Sequence, residues 1–394
     1  MKVAKLPVNP AVLVWARFRA GYSVDDVASK ISTNPDRVRE WERGDRSPTP
    51  RQGRALAKLY DRPFLEFFAR NIPEVPDVEL VPDFRLFSGS GPTDQEVRAL
   101  RGIQAWAEEQ RANALALIEE LGERPPVLSE NLTFTIESNP SDAAAIAREA
   151  MRFGIEDQID LPIRERDQIP SVLRDRIEAM GVLVLRQNGL TKLRARGICL
   201  YATPLPVIVF GGEAPSAQAF TLAHEFGHVL TRTSAISGGP SAGTDSASAE
   251  RHIEDWCNAF AGAFLVPADW LERYEARPDE PQASFDSRRL SDLAGSFGIS
   301  RHAMLVRLVN LGYVQSSFYW NTMRPIFQRE EANFVAHGRP KYYGKRYVNS
   351  RGHFYTGLVL EAWGSGIISS HNAAEYMGIN NLLHLNAIRE EFRV

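Results

Sequence analysis

The chain has 394 residues, of which 44% are hydrophobic, 24% charged and 10% aromatic, an ordinary globular composition that excludes wholesale disorder. It has no apolar run near the ~20 residues a membrane helix needs, and Met1 to Pro10 lacks the apolar core of a secretion signal, so a cytoplasmic protein of two or three domains is expected. Two cysteines, Cys199 and Cys257, are too few for a disulfide framework and are expected as buried free thiols.

The net charge of -3 is unevenly placed: residues 1–72 hold 14 Lys and Arg against 8 Asp and Glu. A basic module on an acidic body points to nucleic acid at that end. Its elements follow in order. Val12, Leu13, Ala16 and Phe18 make an apolar stripe that Gly21-Tyr22 breaks. Ser23 caps the next helix with Asp26 three residues on, and Asn34-Pro35 opens a third that Gly44 closes. Helices near Pro50–Leu59 and Phe64–Ala69 complete a five-helix bundle with a helix-turn-helix layout.

The run Tyr22-Ser23-Val24-Asp25-Asp26-Val27-Ala28, followed by Val38-Arg39-Glu40-Trp41-Glu42-Arg43-Gly44 and Pro48-Thr49, resembles the phage-repressor (Xre-type) DNA-binding family over residues 10–70. That resemblance implies contact with duplex DNA. The turn position where the family usually carries glycine is Ser32. On the implied recognition helix Arg37 and Arg39 are the better contacts, with Arg43 and Arg46 beyond them, whereas Asp36 and Glu40 would face phosphates unfavourably. A protein-docking or purely structural bundle is the alternative.

Residues 73–92, rich in Pro and Gly, predict a linker. Helical periodicity then runs from Thr93 to Leu121, from Ser141 to Phe153 and from Gln168 to Met180. Three short β-rich runs, Val182–Leu185, Gly197–Tyr201 and Pro206–Phe210, predict a small three-stranded sheet. Helical patterns return over residues 216–231, 249–266, 267–276, 286–297 and 300–311.

His224-Glu225-Phe226-Gly227-His228 is an H-E-x-x-H pattern. Residues i and i+4 lie about one turn apart on one helix face, so both imidazoles can reach a single Zn²⁺, with Glu225 beside it as general base. A catalytic zinc needs a third protein ligand. Glu254, at the polar start of an apolar helix that ends at Pro267, is well placed, and Glu250, His252 and Asp255 compete with it on sequence alone.

These residues together resemble the ImmA/IrrE family of bacterial metallopeptidases. The likeness rests on Phe220-Thr221-Leu222-Ala223-His224-Glu225-Phe226-Gly227-His228, then Glu254, Asn258, Phe260, Ala261 and Pro267, and covers roughly residues 140–312. It implies a zincin-like zinc metalloendopeptidase with Glu254 as third ligand. The implied substrate is an Xre-type helix-turn-helix repressor, cleaved to control genes in a stress, mobile-element or toxin-antitoxin-like system. The other reading is a DNA-binding transcriptional regulator that uses the peptidase fold as sensor or scaffold.

The small-residue segment 234–248 predicts a mobile loop beside the metal. Residues 315–394 predict an irregular stretch to about Gly352 and helices after it, similar to the tail of Xre-fused members of that family; His337, His353, His371 and His384 lack the spacing of a second metal site. A latent enzyme is expected, with the loop or the tail over the cleft. The fold class expected is mainly α (α+β): a helix-turn-helix domain over 1–72, a linker over 73–92, a peptidase domain over 93–314 and a helical C-terminal domain over 315–394.

Overall fold

Local capping chemistry sets the N-terminal helices. In the computed structural model, which describes residues 7–20, 22–60, 62–72, 93–237, 249–334, 342–379 and 381–392, α1 (Pro10–Ala20) is followed by α2 (Val24–Lys30). Ser23 and Asp26 close a reciprocal capping box at the start of α2. Asn34 caps α3 (Pro35–Arg43), whose first residue is proline and whose end is Gly44 in the left-handed region. α4 (Pro50–Tyr60) and a 3-10 turn at Phe64–Phe68 complete the bundle. Val12, Leu13, Ala16, Val27, Trp41 and Phe67 fill its core, and Arg17 ties α1 to α3 through a buried pair with Glu42 at 2.5 Å. Phe18, expected in the core stripe, is instead 68% exposed, and the Arg17 guanidinium lies over its ring.

The chain divides into two units, Met1–Leu80 with Gly89–Gly102 and Val81–Ser88 with Ile103–Val394. α5 (Asp94–Glu120) has its first turns in one and the remainder in the other. The expected linker over 73–92 lies outside the described residues.

In the second unit α6 (Pro140–Ala150), α7 (Glu156–Ile159) and α8 (Ile169–Ala179) precede β1 (Leu183–Arg186), β2 (Gly197–Leu200) and β3 (Val207–Phe210). These are the three expected strands, and each is almost wholly buried, as continuous apolar runs should be. The sheet has a fourth strand, β4 (Ala235–Ser237), and the order β1-β3-β2-β4. β1 runs parallel to β3, while β2 is antiparallel to both β3 and β4. The expectation of three strands, with a loop from residue 234, is therefore corrected. Small residues pair here because the ladder sets Ile236 against Ile198, and the Tyr201 and Arg196 amides donate to Ser234 Oγ and the Ser237 carbonyl at 2.9 Å each. Residues 238–248 of that segment lie outside the described residues.

α9 (Pro215–Leu230) lies on β2 and β3 and packs against α10 (Ala249–Leu265), which α6 flanks. α11 (Ala268–Leu271) is a single turn, shorter than the predicted 267–276, and α12 (Ser287–Phe297) and α13 (Arg301–Asn310) follow. The tail is more regular than its sequence suggests. α14 (Ser316–Phe318), a π-turn at Tyr319–Met323, α15 (Arg324–Ala332) and α16 (Tyr343–Gly364) occupy most of the stretch predicted as irregular, and α17 (Ser370–Tyr376) and α18 (Leu383–Phe392) end the chain. Tertiary contacts supply what local propensity lacks. Glu331 of α15 pairs with Arg196 and, at 2.8 Å, with His302, so that despite partial burial its carboxyl is held down to about 2. This brace is fully present at neutral pH and is lost as pH falls from the ordinary carboxylate value of about 4.3 towards 2.

α16 bends at Gly352, which has φ 84° and ψ 168°, a region open essentially to glycine alone. There the Phe354 amide donates to Glu178 Oε2 at 2.9 Å, and Arg174, buried beside Glu178, donates to the Asn349 carbonyl at 2.6 Å. A Cβ at position 352 would stand 1.9 Å from Glu178 Oε1. Gly352→Ala should therefore lower unfolding free energy by at least roughly 1–3 kcal/mol. Calorimetric melting checks this, and an unchanged melting temperature would show that the bend is not a constraint.

Candidate metal centre

The site is built where α9 crosses α10. Gly227 permits the crossing: a Cβ there would meet Cys257 Sγ and the Phe260 ring at 3.3 Å each. Both thiols expected as free and buried are so, Cys257 in this crossing and Cys199 on β2. With the helices this close, Glu254 on the first half of α10 reaches both histidines of α9. His228 Nε2 lies 2.9 Å from Glu254 Oε1, His224 Nε2 lies 3.4 Å from Glu254 Oε2, and the two Nε2 atoms are 3.3 Å apart. His224 and His228 are buried, and the Glu254 side chain is 14% exposed. Burial alone would raise the Glu254 carboxyl, but the charge and hydrogen bond of His224, then those of His228, hold it down to about 2.

The three side chains fit a zinc ion. Bonds of about 2.0–2.2 Å in a tetrahedron put neighbouring donors about 3.3–3.6 Å apart, which two of the three spacings match and the third, 2.9 Å, approaches with a small outward shift of Glu254, and two imidazoles with one carboxylate is a catalytic donor set that leaves a fourth position open. Thr233 Oγ1 stands 2.9 Å from His228 Nδ1 and fixes that ring from its far side, and Asn258, one turn along α10 from Glu254, bears on His224.

Glu225 lies beside this group with no exposure. Both its carboxylate oxygens, and the Ser237 hydroxyl that faces it from β4, lack a hydrogen bond of good geometry among the described residues. Burial, partly offset by His224, pushes its carboxyl up to about 8. A buried carboxyl that lacks such a bond next to a donor cluster is a candidate for chemistry. Its room comes from Gly197 on β2, where a Cβ would stand 2.1 Å from Glu225 Oε1. Sequence reading did not single out Gly197 or Thr233. Glycine at the head of an apolar strand was the available signal for the first, and nothing in the pattern marked the second. Of the competing candidates, His252 and Asp255 line a shallow hollow with Ile136, Glu137 and Trp256, away from the cluster that contains Glu254. The side chain of Glu250 lies outside the described residues.

In the N-terminal unit the turn before α3 carries Ser32 at φ 53°, left-handed where glycine was noted as usual. The arginines singled out on and after α3 are all half-exposed, and all have carboxylate partners. Arg37 pairs with Glu40 at 3.4 Å, Arg39 with Asp36 at 2.8 Å and Asp25 at 3.8 Å, Arg43 with Asp45 at 2.8 Å, and Arg46 with Glu40 at 3.2 Å.

Residues 181–309 match the M78 peptidase family model described as the IrrE N-terminal-like domain, and residues 15–67 match the model described as helix-turn-helix. One segment of the chain is thus similar to helix-turn-helix domains and a second, downstream, to IrrE N-terminal-like domains. No curated protein and no solved structure matches the chain. The segment matched by the IrrE-like model contains His224, Glu225, His228, Glu254, Gly197 and Thr233.

Because Thr233 orients His228, Thr233→Val in the IrrE-like domain should weaken divalent-cation affinity about 10–100-fold without loss of folding. Competition with a chromophoric chelator measures this, and unchanged affinity would remove Thr233 from the site.

Proposed function

We propose that this chain is a zinc-dependent endopeptidase in which His224, His228 and Glu254 hold Zn²⁺ and Glu225 is the general base. The observation that carries the reading is the set of three donor spacings, 2.9, 3.3 and 3.4 Å, beside a buried carboxyl with no hydrogen bond of good geometry among the described residues. Zinc in this position supplies Lewis acidity, which activates water and polarises the scissile carbonyl. Glu225 takes the proton of the attacking water on its carboxylate and returns it to the nitrogen of the leaving amine. Gly197 and Ser237 shape the space in which that carboxylate moves, while Thr233 holds the His228 imidazole in place.

The substrate in this proposal is a protein, an Xre-type helix-turn-helix repressor or a relative of it, whose cleavage controls genes in a stress, mobile-element or toxin-antitoxin-like system. What supports it is the pairing of an IrrE-like peptidase domain with a helix-turn-helix domain in one chain. A cytoplasmic location belongs to the same proposal, as does the division into 1–72, a linker over 73–92, the peptidase over 93–314 and a C-terminal domain over 315–394.

Glu225→Gln should retain stoichiometric zinc and lower kcat/KM on a repressor substrate by about 10²–10⁴, whereas His228→Ala should lose the zinc. Elemental analysis and a cleavage assay read the two effects separately. Wild-type protein prepared without chelator and found free of zinc would overturn the proposal.

A second reading, a DNA-binding regulator, is favoured by the helix-turn-helix match and the left-handed Ser32 turn. Exposed ion pairs such as Arg39 with Asp36 contribute only about 0–1 kcal/mol, so phosphates can compete for these arginines. Replacing Arg37 and Arg39 together with alanine should then reduce the slope of log affinity against log salt by roughly 2, and Asp36→Asn with Glu40→Gln should tighten duplex binding. Duplex binding indifferent to both pairs of changes would rule this reading out.

A further inference from the structure

A second built feature lies at the far end of α10 from Glu254. Three successive carbonyls there are capped by buried side chains of other elements. Arg148 of α6 donates to the Phe264 carbonyl at 2.6 Å, Gln158 of α7 to that of Leu265 at 2.9 Å, and Arg307 of α13 to that of Val266 at 2.9 Å. Cations at the negative end of a helix are stabilising, and this accounts for Arg148, whose remaining bonds go to Gln158 Oε1 and the Gly154 carbonyl.

It does not account for Arg307. That side chain is 3% exposed, and among the described residues it donates only through Nε; its Nη2 atom is buried without a partner. Burial lowers its pKa to about 10, so it remains a cation at neutral pH. A buried guanidinium with no anionic partner and an unbonded Nη2 is costly, and buried charges are ordinarily paired. Arg307 lines a cavity of about 570 Å³, within the ~300–1,000 Å³ range of small-molecule sites. The wall is mostly apolar, with Phe153, Ile155 and Trp270. Arg148 and Arg307 are its buried charges, and Arg152, Glu149 and Asp269 are its exposed ones.

We propose that this cavity binds a small organic anion, a carboxylate or phosphate ester on an apolar body, whose charged group supplies the acceptor Arg307 lacks while the apolar part lies against Trp270. The anion also meets Arg152 at the mouth, and the two exposed carboxylates on the rim disfavour highly charged species. The site is separate from the metal centre, and its test does not depend on peptidase activity.

Isothermal titration of the full chain with 1-naphthoate, inorganic phosphate and the neutral 1-naphthalenemethanol decides the matter. The expected result is saturable 1:1 binding of 1-naphthoate, weaker binding of phosphate, and an alcohol affinity at least about tenfold below that of the acid. Ala145→Trp, at an exposed position in the lining, should block binding with no change in melting temperature, and Arg307→Gln should weaken 1-naphthoate at least about tenfold. Should Arg307→Gln unfold through loss of its bond to Val266, the exposed Arg152→Ala carries the charge test with the same sign and a smaller effect. Absence of saturable binding by both anions, equal affinity for acid and alcohol, or binding indifferent to Ala145→Trp would each overturn the proposal.

Discussion

The close crossing of α9 and α10 is the constraint on which the site depends. Glycine at 227 eases it, because a Cβ there would press on Cys257 and Phe260 at 3.3 Å and make them give by a few tenths of an ångström. A wider crossing would leave two imidazoles on one helix and a carboxylate out of reach on the other. The apolar lengths of both helices, with Phe226, Phe260 and Phe264 in the core, hold them together without relying on the polar cluster. The donor atoms are thus positioned by packing, which is how a site remains ordered before it holds a ligand.

The treatment of buried charge differs between the body and the site. Glu213 accepts from Thr221 Oγ1 at 2.6 Å and lies 3.3 Å from Arg196, which Glu331 also meets. Arg174 is paired with Glu178. Such groups satisfy one another and tie the tail to α8 and to the start of β2. Glu225 is the contrasting case, with no compensating hydrogen bond of good geometry among the described residues. Leaving a buried carboxyl without a hydrogen bond costs stability, about 1–3 kcal/mol for the missing partner, and Glu225 differs from Glu178 and Glu331 in having neither oxygen so bonded among the described residues.

The helical plan and most of the His-His-Glu cluster were legible in the sequence because each has a local signature. Ser23 with Asp26, Asn34 with Pro35 and the spacing of His224 and His228 all act within one turn of chain. The third donor was harder to read: His252, Glu254 and Asp255 all offer ligand atoms, and it is the rotation of α10 about its axis that brings Glu254 to the histidines. Gly197 and Thr233 were not legible, since what gives them a role is an approach across the sheet or around a helix end. β4 failed for the same reason, because Ala235-Ile236-Ser237 has no strand signature apart from its pairing with β2. The regularity of α15 and of the first half of α16 depends on Arg196, His302, Arg174 and Glu178, all more than 100 residues away or on separate helices.

Charge counting shows the same limit. The excess of Lys and Arg over residues 1–72 is real, yet on and around α3 the arginines share a face with Asp25, Asp36, Glu40 and Asp45. Because these pairs are exposed, they hold each arginine only weakly and can be exchanged for other anions. The acidic partners remain in place after such an exchange, so they still reduce the local potential that a polyanion meets. A single phosphate would feel little of this at short range, whereas a duplex, which must satisfy many contacts at once, would feel the summed field. The balance between those two scales, rather than the number of arginines, sets what this surface can recognise.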